Sequence, residues 1–95
     1  TLLNRWPTSL SGLIGAGNVA YSMGDTQAAE AGFRKAAEIH PDSAAALNNL
    51  AQTLADQNRL SEAVVVARRA VELGGPLQET SKSTLESITR KMETK

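Results

Sequence analysis

The sequence repeats itself with a period of 34 residues, and this period limits the fold more than any other feature. Residues 17–43 align over residues 51–77 without a gap, so that Ala36, for example, lies over Ala70. A period of about 20–50 residues is typical of chains that stack copies of one supersecondary unit. Each unit then buries its apolar face against its neighbours, and a continuous core runs along the stack.

Within each unit, apolar and small residues recur at i, i+3, i+4 and i+7, which is the spacing of amphipathic helices. Aromatic residues are only 3% of the chain and β-branched residues cluster only at Val64-Val65-Val66, which favours helix over strand. Pro41 and Gly74 mark two helix ends. We therefore predict five helices, over about residues 10–23, 26–39, 44–57, 60–73 and 77–93.

A helix-turn-helix unit with these residues resembles the tetratricopeptide repeat (TPR). The family places a small residue in the first helix, where the two helices approach closely, and here that position holds Gly17 in one unit and Ala51 in the next. Phe33 and Pro41 match two further positions of the family pattern. The resemblance covers residues 10–75.

The resemblance implies an all-α fold, a right-handed helix-turn-helix solenoid of two repeats and a C-terminal capping helix. Pro7 takes the place of Pro41 in an earlier unit, so we expect further repeats before residue 1. The implied organisation is a stub of a preceding repeat at 1–9, TPR 1 at 10–43, TPR 2 at 44–76, and the C-terminal capping helix at 77–95.

A dinucleotide-binding interpretation competes for one stretch of the first predicted helix. Gly15-Ala16-Gly17-Asn18-Val19-Ala20 spells G-x-G-x-x-A. That motif binds a pyrophosphate only between a strand and a helix of a βαβ unit, and the preceding PTSLSG offers no buried strand. We therefore interpret Gly17 as a helix contact and predict no nucleotide cofactor.

The remaining composition argues against other chemistry. Basic and acidic residues balance at ten each and there is no cysteine, so we predict neither nucleic-acid binding nor a thiolate site. His40 is the only histidine and falls where a helix ends, so we predict no metal site and no enzyme activity. We place Glu30, Glu38, Glu62 and Glu72 on solvated outer faces, and Arg34-Lys35 with Arg68-Arg69 on a small outer basic strip. No apolar run reaches the roughly 18 residues of a membrane span, so we predict no membrane insertion.

The resemblance implies that the first helices of the repeats line a concave groove. Asparagine and glutamine side chains there offer both a donor and an acceptor to the backbone of a bound chain. A clamp for a terminal carboxylate is disfavoured because Ile14 stands where that clamp has a lysine. We predict a protein-interaction module whose groove binds a peptide, a helix or a neighbouring domain. The predicted groove residues are Ile14, Asn18, Tyr21, Ser22, Ala45, Asn48, Asn49, Gln52 and Asp56.

Two further surfaces follow from the pattern. Leu85, Ile88 and Met92 of the last helix are predicted to cover the apolar face of residues 60–73. Near the other end, the stub carries Leu2, Leu3 and Trp6 without their own partner helix. Self-association through these three side chains, as a weak homodimer, is therefore a further hypothesis.

A narrower resemblance concerns the parent protein. The stretches GLIGAGNVAYSMGD and ARRAVELGGP are similar to the C-terminal repeats of bacterial envelope proteins that carry an N-terminal papain-like cysteine peptidase domain. This resemblance implies a non-catalytic accessory domain of a larger enzyme, as an alternative to an independent binding module. The sequence leaves the compartment open between bacterial cytoplasm and periplasm, and this resemblance favours the periplasm or envelope.

Overall fold

Five α-helices account for most of the part of the chain that the structure, a computed structural model, describes, which is residues 9–93. They are α1 (Leu10–Ser22), α2 (Thr26–Ile39), α3 (Ala44–Asp56), α4 (Leu60–Leu73) and α5 (Gln78–Glu93). No strand occurs within the described residues. The all-α prediction is confirmed, and each predicted helix end lies within one residue of the observed one. Leu2, Leu3 and Trp6 of the predicted stub lie outside the described residues.

Side chains and turn residues at the helix ends explain where the helices begin and stop. The Ser9, Asp25 and Ser43 side chains each accept a hydrogen bond from the backbone N–H three residues later, as helix N-caps do. Gly24 and Asn58 occupy equivalent positions of the two units, and both have a positive φ, 82° and 63°. Glycine and asparagine tolerate this left-handed conformation best, so the same tight turn joins α1 to α2 and α3 to α4.

The closest approach between helices occurs in the first unit, at Gly17. A Cβ atom built on Gly17 would lie 2.5 Å from Phe33 Cε1, and one built on Gly32 would lie 3.2 Å from the Gly17 Cα. The α1 and α2 backbones therefore meet where neither helix has a bulky side chain, and the Phe33 ring fills the space beside them. In the second unit the equivalent residues, Ala51 and Ala67, are both fully buried.

The core runs through both units without interruption. Its larger cluster joins α2, α3, α4 and α5, and a smaller one joins α1, α2 and α3. The largest side chains of the two clusters are Leu13, Phe33, Leu50, Leu54, Leu60 and Ile88. Both α2 and α3 contribute to both clusters, so the two units join along these two helices.

The buried face of α5 differs from the predicted one. Ile88 is buried and Leu85 is half-buried against the larger core cluster, as expected, but Met92 is 41% exposed. The buried face consists instead of Ser81, Thr84 and Ile88. Gln78 stands 34 residues after Ala44, so α5 takes the place of a third first helix, and Met92 lies beyond the position equivalent to the end of α3.

Four charged side chains and one glutamine connect α2 of the first unit with α4 and the turn before it. Glu30 accepts hydrogen bonds from Arg34 at 2.8 Å, Arg59 at 2.7 Å and Gln57 at 2.9 Å. Glu62 accepts from Arg34 at 2.9 Å and Arg59 at 2.7 Å. Glu30 and Glu62 were predicted on solvated outer faces and Arg34 in a basic strip, but the sequence did not predict that they pair with one another across the two units. Periodicity shows on which face a long side chain starts and not what it reaches. We call these five residues the inter-repeat network.

The network changes the acidity of both carboxyl groups. Partial burial acts to raise the pKa of Glu30, but hydrogen bonds from Gln57, Arg34 and Arg59 outweigh it and the pKa is lowered. Hydrogen bonds from Arg34 and Arg59 likewise lower the pKa of Glu62. A lowered pKa in the folded state means that folding is favoured above the unfolded-state pKa and loses this contribution as the pH falls through the folded value.

The glycine contact predicts opposite effects of one substitution at two neighbouring sites. Gly17→Ala should destabilise the fold by about 1–3 kcal/mol, because the new methyl group displaces the buried Phe33 ring. Gly15→Ala is the control: its Cβ would meet nothing within 4 Å, so it should stabilise the same helix by about 0.5–1 kcal/mol. Chemical denaturation measures both, and equal effects of the two variants would contradict the close contact.

The network predicts how stability depends on pH. Glu30→Gln should cost about 1 kcal/mol at pH 7 and should reduce the loss of stability on acidification below about pH 4.3. Glu38→Gln, on the exposed face of the same helix, is the matched control. Urea denaturation at a series of pH values measures both variants. A pH profile altered as much by Glu38→Gln as by Glu30→Gln would refute the role of the network.

Candidate functional site

Polar side chains of α1 and α3 lie side by side on one surface, which we call the inner face. Asn18 and Tyr21 project from α1, and Asn49 and Gln52 from α3, around a small cavity of about 30 Å³. The buried side chains of Phe33 and Thr53 also line it. First helices of adjacent units thus bring four of the predicted groove residues together.

A larger cleft of about 250 Å³ adjoins this cavity and shares Tyr21 and Gln52 with it. Asp56 of α3 lines the cleft, and α5 forms its far wall. The α5 residues that line it are Thr84, Ser87, Ile88 and Lys91. The lining is mainly polar and contains one carboxylate and one ammonium group, so this cleft suits a polar chain better than an apolar one.

Tyr21 connects α1 to α3 at the boundary between the cavity and the cleft. Its hydroxyl group donates a hydrogen bond to a carboxylate oxygen of Asp56. This hydrogen bond, with partial burial and the nearby negative charge, raises the pKa of Tyr21. The Tyr21 ring is still 44% exposed, so its edge and face remain accessible to a bound molecule.

The repeats of this chain match a known protein family. A family profile described as Tetratricopeptide repeat matches residues 14–76, which is more than half of the chain. The chain belongs to the tetratricopeptide repeat family. TPR repeats generally mediate protein–protein interaction and generally serve as non-catalytic scaffolds. A search of curated proteins gave no match to the sequence.

The remaining predicted groove residues of this TPR chain lie around the two cavities or beneath them. Ile14 is half-buried against both core clusters, and Ala45 is half-buried on α3. Ser22 is exposed and donates a hydrogen bond to the Asn18 carbonyl at 2.9 Å. Asn48 differs from the expectation, because it is only 6% exposed and lines neither cavity. Its amide is therefore not presented to a ligand.

The prediction from sequence missed the contribution of α5 to the inner face. The prediction gave α5 only the role of a capping helix, yet Thr84, Ser87 and Lys91 line the larger cleft. The 34-residue period contained the signal: it places Gln78 at the start of a third first helix, whose inner residues then continue the row from α1 and α3.

Among residues 9–93, no three His, Asp or Glu side chains lie close enough together to hold a metal ion. His40 ends α2, where its N–H donates to the Ala36 carbonyl at 2.8 Å. Of the helices in this range, none combines the length and hydropathy that crossing a membrane requires.

The Tyr21–Asp56 contact can be tested by titration of Tyr21, because Tyr21 is the single tyrosine of the chain and its signal is not mixed with any other. Asp56→Asn should lower the pKa of Tyr21 towards its ordinary value of about 10, since it removes the negative charge that holds the hydroxyl proton. The pKa is measured from the ultraviolet absorbance of tyrosinate. Asp42→Asn, in the exposed turn before α3, is the control and should change nothing. An unchanged pKa in Asp56→Asn would show that the contact does not form in solution.

Proposed function

We propose that this chain is a protein-binding scaffold whose inner face binds an extended peptide or a helix of another protein. The observation that carries the proposal is the continuity of the surface: Asn18, Tyr21, Asn49, Gln52 and Asp56 line one cavity and the cleft beside it. These five belong to the groove residues predicted from sequence. Their arrangement supports binding of a segment that crosses from one repeat to the next.

The chemistry of the inner face favours contacts with a polypeptide backbone. Each amide of Asn18, Asn49 and Gln52 offers a donor and an acceptor, as a peptide group does. A hydrogen bond of this kind contributes about 1 kcal/mol net. Tyr21 adds a half-exposed aromatic ring, a residue type frequent among the dominant contacts of protein interfaces.

A second candidate function is that of an accessory domain in a larger bacterial enzyme of the cysteine peptidase type. In that case the same inner face would bind a neighbouring domain of the parent protein. The basis is the narrower sequence resemblance, and the envelope or periplasm would be the site of action. Weak self-association through Leu2, Leu3 and Trp6 is a separate hypothesis, which sedimentation at several concentrations tests.

The proposal predicts which substitutions abolish binding. Peptides selected from a displayed library on the full chain should bind the Tyr21→Ala, Asn49→Ala double variant at least about tenfold more weakly, because it loses an aromatic anchor and an amide. Titration of the selected peptides measures this, with circular dichroism as a check on helix content.

The matched control is the double variant Arg68→Ala, Arg69→Ala, which changes two exposed residues of α4. Arg34→Ala is unsuitable because Arg34 belongs to the inter-repeat network. Peptides that depend on the arginine pair and not on the groove pair would move the site to the outer surface. If the library yields no peptide but the parent protein's neighbouring domain binds in a groove-dependent manner, the accessory function replaces the proposed one.

A further inference from the structure

In the 34-residue repeat, α5 stands one period after α3, and its buried face is more polar than that of α3. Ser81, Thr84 and Ile88 of α5 stand 34 residues after Leu47, Leu50 and Leu54 of α3. All six side chains are buried. In α3 all three positions carry buried leucines, whereas in α5 two of the three equivalent positions carry hydroxyl groups.

The hydroxyl groups of this face do little to hold α5 in place. The Thr84 hydroxyl donates to the Thr80 carbonyl of its own helix at 3.1 Å. Ser81 is fully buried, and its Oγ makes no hydrogen bond. A buried hydroxyl without a partner gives up its hydrogen bonds to water on docking and gains none in return.

A second unpaired polar atom lies on the helix beside it. Within residues 9–93, the buried side-chain oxygens without a hydrogen-bond partner are Asn48 Oδ1 on α3 and Ser81 Oγ on α5. Both therefore belong to the two helices that flank the larger cleft. The rest of the described core has no such atoms, and Ser81 Oγ is the one that α5 contributes.

The connection to α5 is built from glycine. Gly74 and Gly75 both have a positive φ, 69° and 77°, in the segment between α4 and α5. Two glycines in succession impose little restriction on the chain before Pro76, so the segment can change direction at low cost. The side-chain hydrogen bond to α4 at this end of α5 comes from Gln78, which donates to the Val71 carbonyl at 3.3 Å. The turn between α3 and α4, in contrast, carries a single left-handed residue, Asn58, and its flanking Gln57 and Arg59 both contact Glu30.

We propose that α5 is a displaceable cap, and that the surface it covers on α3 and α4 is a docking site for an amphipathic helix of a partner protein. The partner helix carries aliphatic side chains where α5 carries Ser81 and Thr84. The equivalent place in the first unit supports this occupant, because there Leu50 and Leu54 of α3 belong to the same core cluster as Ala29 and Phe33 of the preceding unit. This docking site lies beneath α5 and borders the inner face, because Thr84 and Ile88 also line the larger cleft. It does not require the contacts of Asn18, Tyr21 and Asn49 on α1 and α3.

Hydrogen exchange of the full chain tests the displacement itself. We expect amides in the middle of α5 to exchange at least about 100-fold faster than those in the middle of α3, because opening of α5 alone requires less free energy than global unfolding. Replacing Ser81 by Ala and Thr84 by Val should slow α5 exchange by at least about tenfold, since the side chains keep their size and lose their hydroxyls.

The control removes the same groups from the exposed face of α5, by Thr80→Val with Ser83→Ala. It should leave the exchange of α5 unchanged. Protection of α5 equal to that of α3 in the natural chain would overturn the proposal, as would equal slowing by the two double variants.

A peptide titration tests the docking site. The probe is a synthetic peptide of residues 78–93 with Ser81→Leu and Thr84→Leu, added to the full chain. It should bind, and the Ser81→Ala, Thr84→Val chain should bind it at least about tenfold more weakly, because its own α5 leaves the site less often. The unsubstituted peptide of residues 78–93 should bind at least about tenfold more weakly than the leucine peptide.

One variant separates this site from the inner face. The Tyr21→Ala, Asn49→Ala chain should bind the leucine peptide with unchanged affinity, even where it has lost the ligands of the inner face. Failure of the leucine peptide to bind, or binding that the Ser81 and Thr84 substitutions do not weaken, would refute the docking site and leave the proposed function untouched.

Discussion

The packing of this molecule depends on how closely two helix backbones approach each other. In the first unit that distance is set at Gly17, where no side chain separates α1 from α2 and the Phe33 ring packs alongside. Because the helices approach so closely, a chain of few aromatic residues can still fill its interior, largely with alanine. The second unit has a different pair of buried residues at the equivalent positions, Ala51 and Ala67.

Much of the fold could be predicted from the sequence because helix periodicity and turn residues are local signals. The helix ends follow from Ser9, Asp25, Ser43 and the glycine and asparagine turns, each of which acts within a few residues of its own position. The division into repeats follows from the 34-residue period alone. These signals need no knowledge of which units contact each other.

The features that the sequence did not reveal depend on contacts between units. Glu30 and Arg59 are 29 residues apart and meet only because the first unit stacks on the second. Met92 has the apolar character of a core residue, yet it is 41% exposed and lies beyond the position equivalent to the end of α3. Asn48 is a similar case. A helical wheel gives the direction of its side chain and so predicts the inner face, but its burial depends on the neighbouring helix.

The central position of α3 has a consequence for how the chain folds. It contains eight buried residues, whereas α1 contains two and also carries three glycines. An isolated α1 is therefore a poor helix, while α3 and α4 form contacts between segments close in sequence. We expect the folding nucleus to lie in α3 and α4, with α1 ordering last against a surface that is already formed. Contacts between consecutive helices also keep the contact order low, which places this chain among the faster-folding topologies for its length.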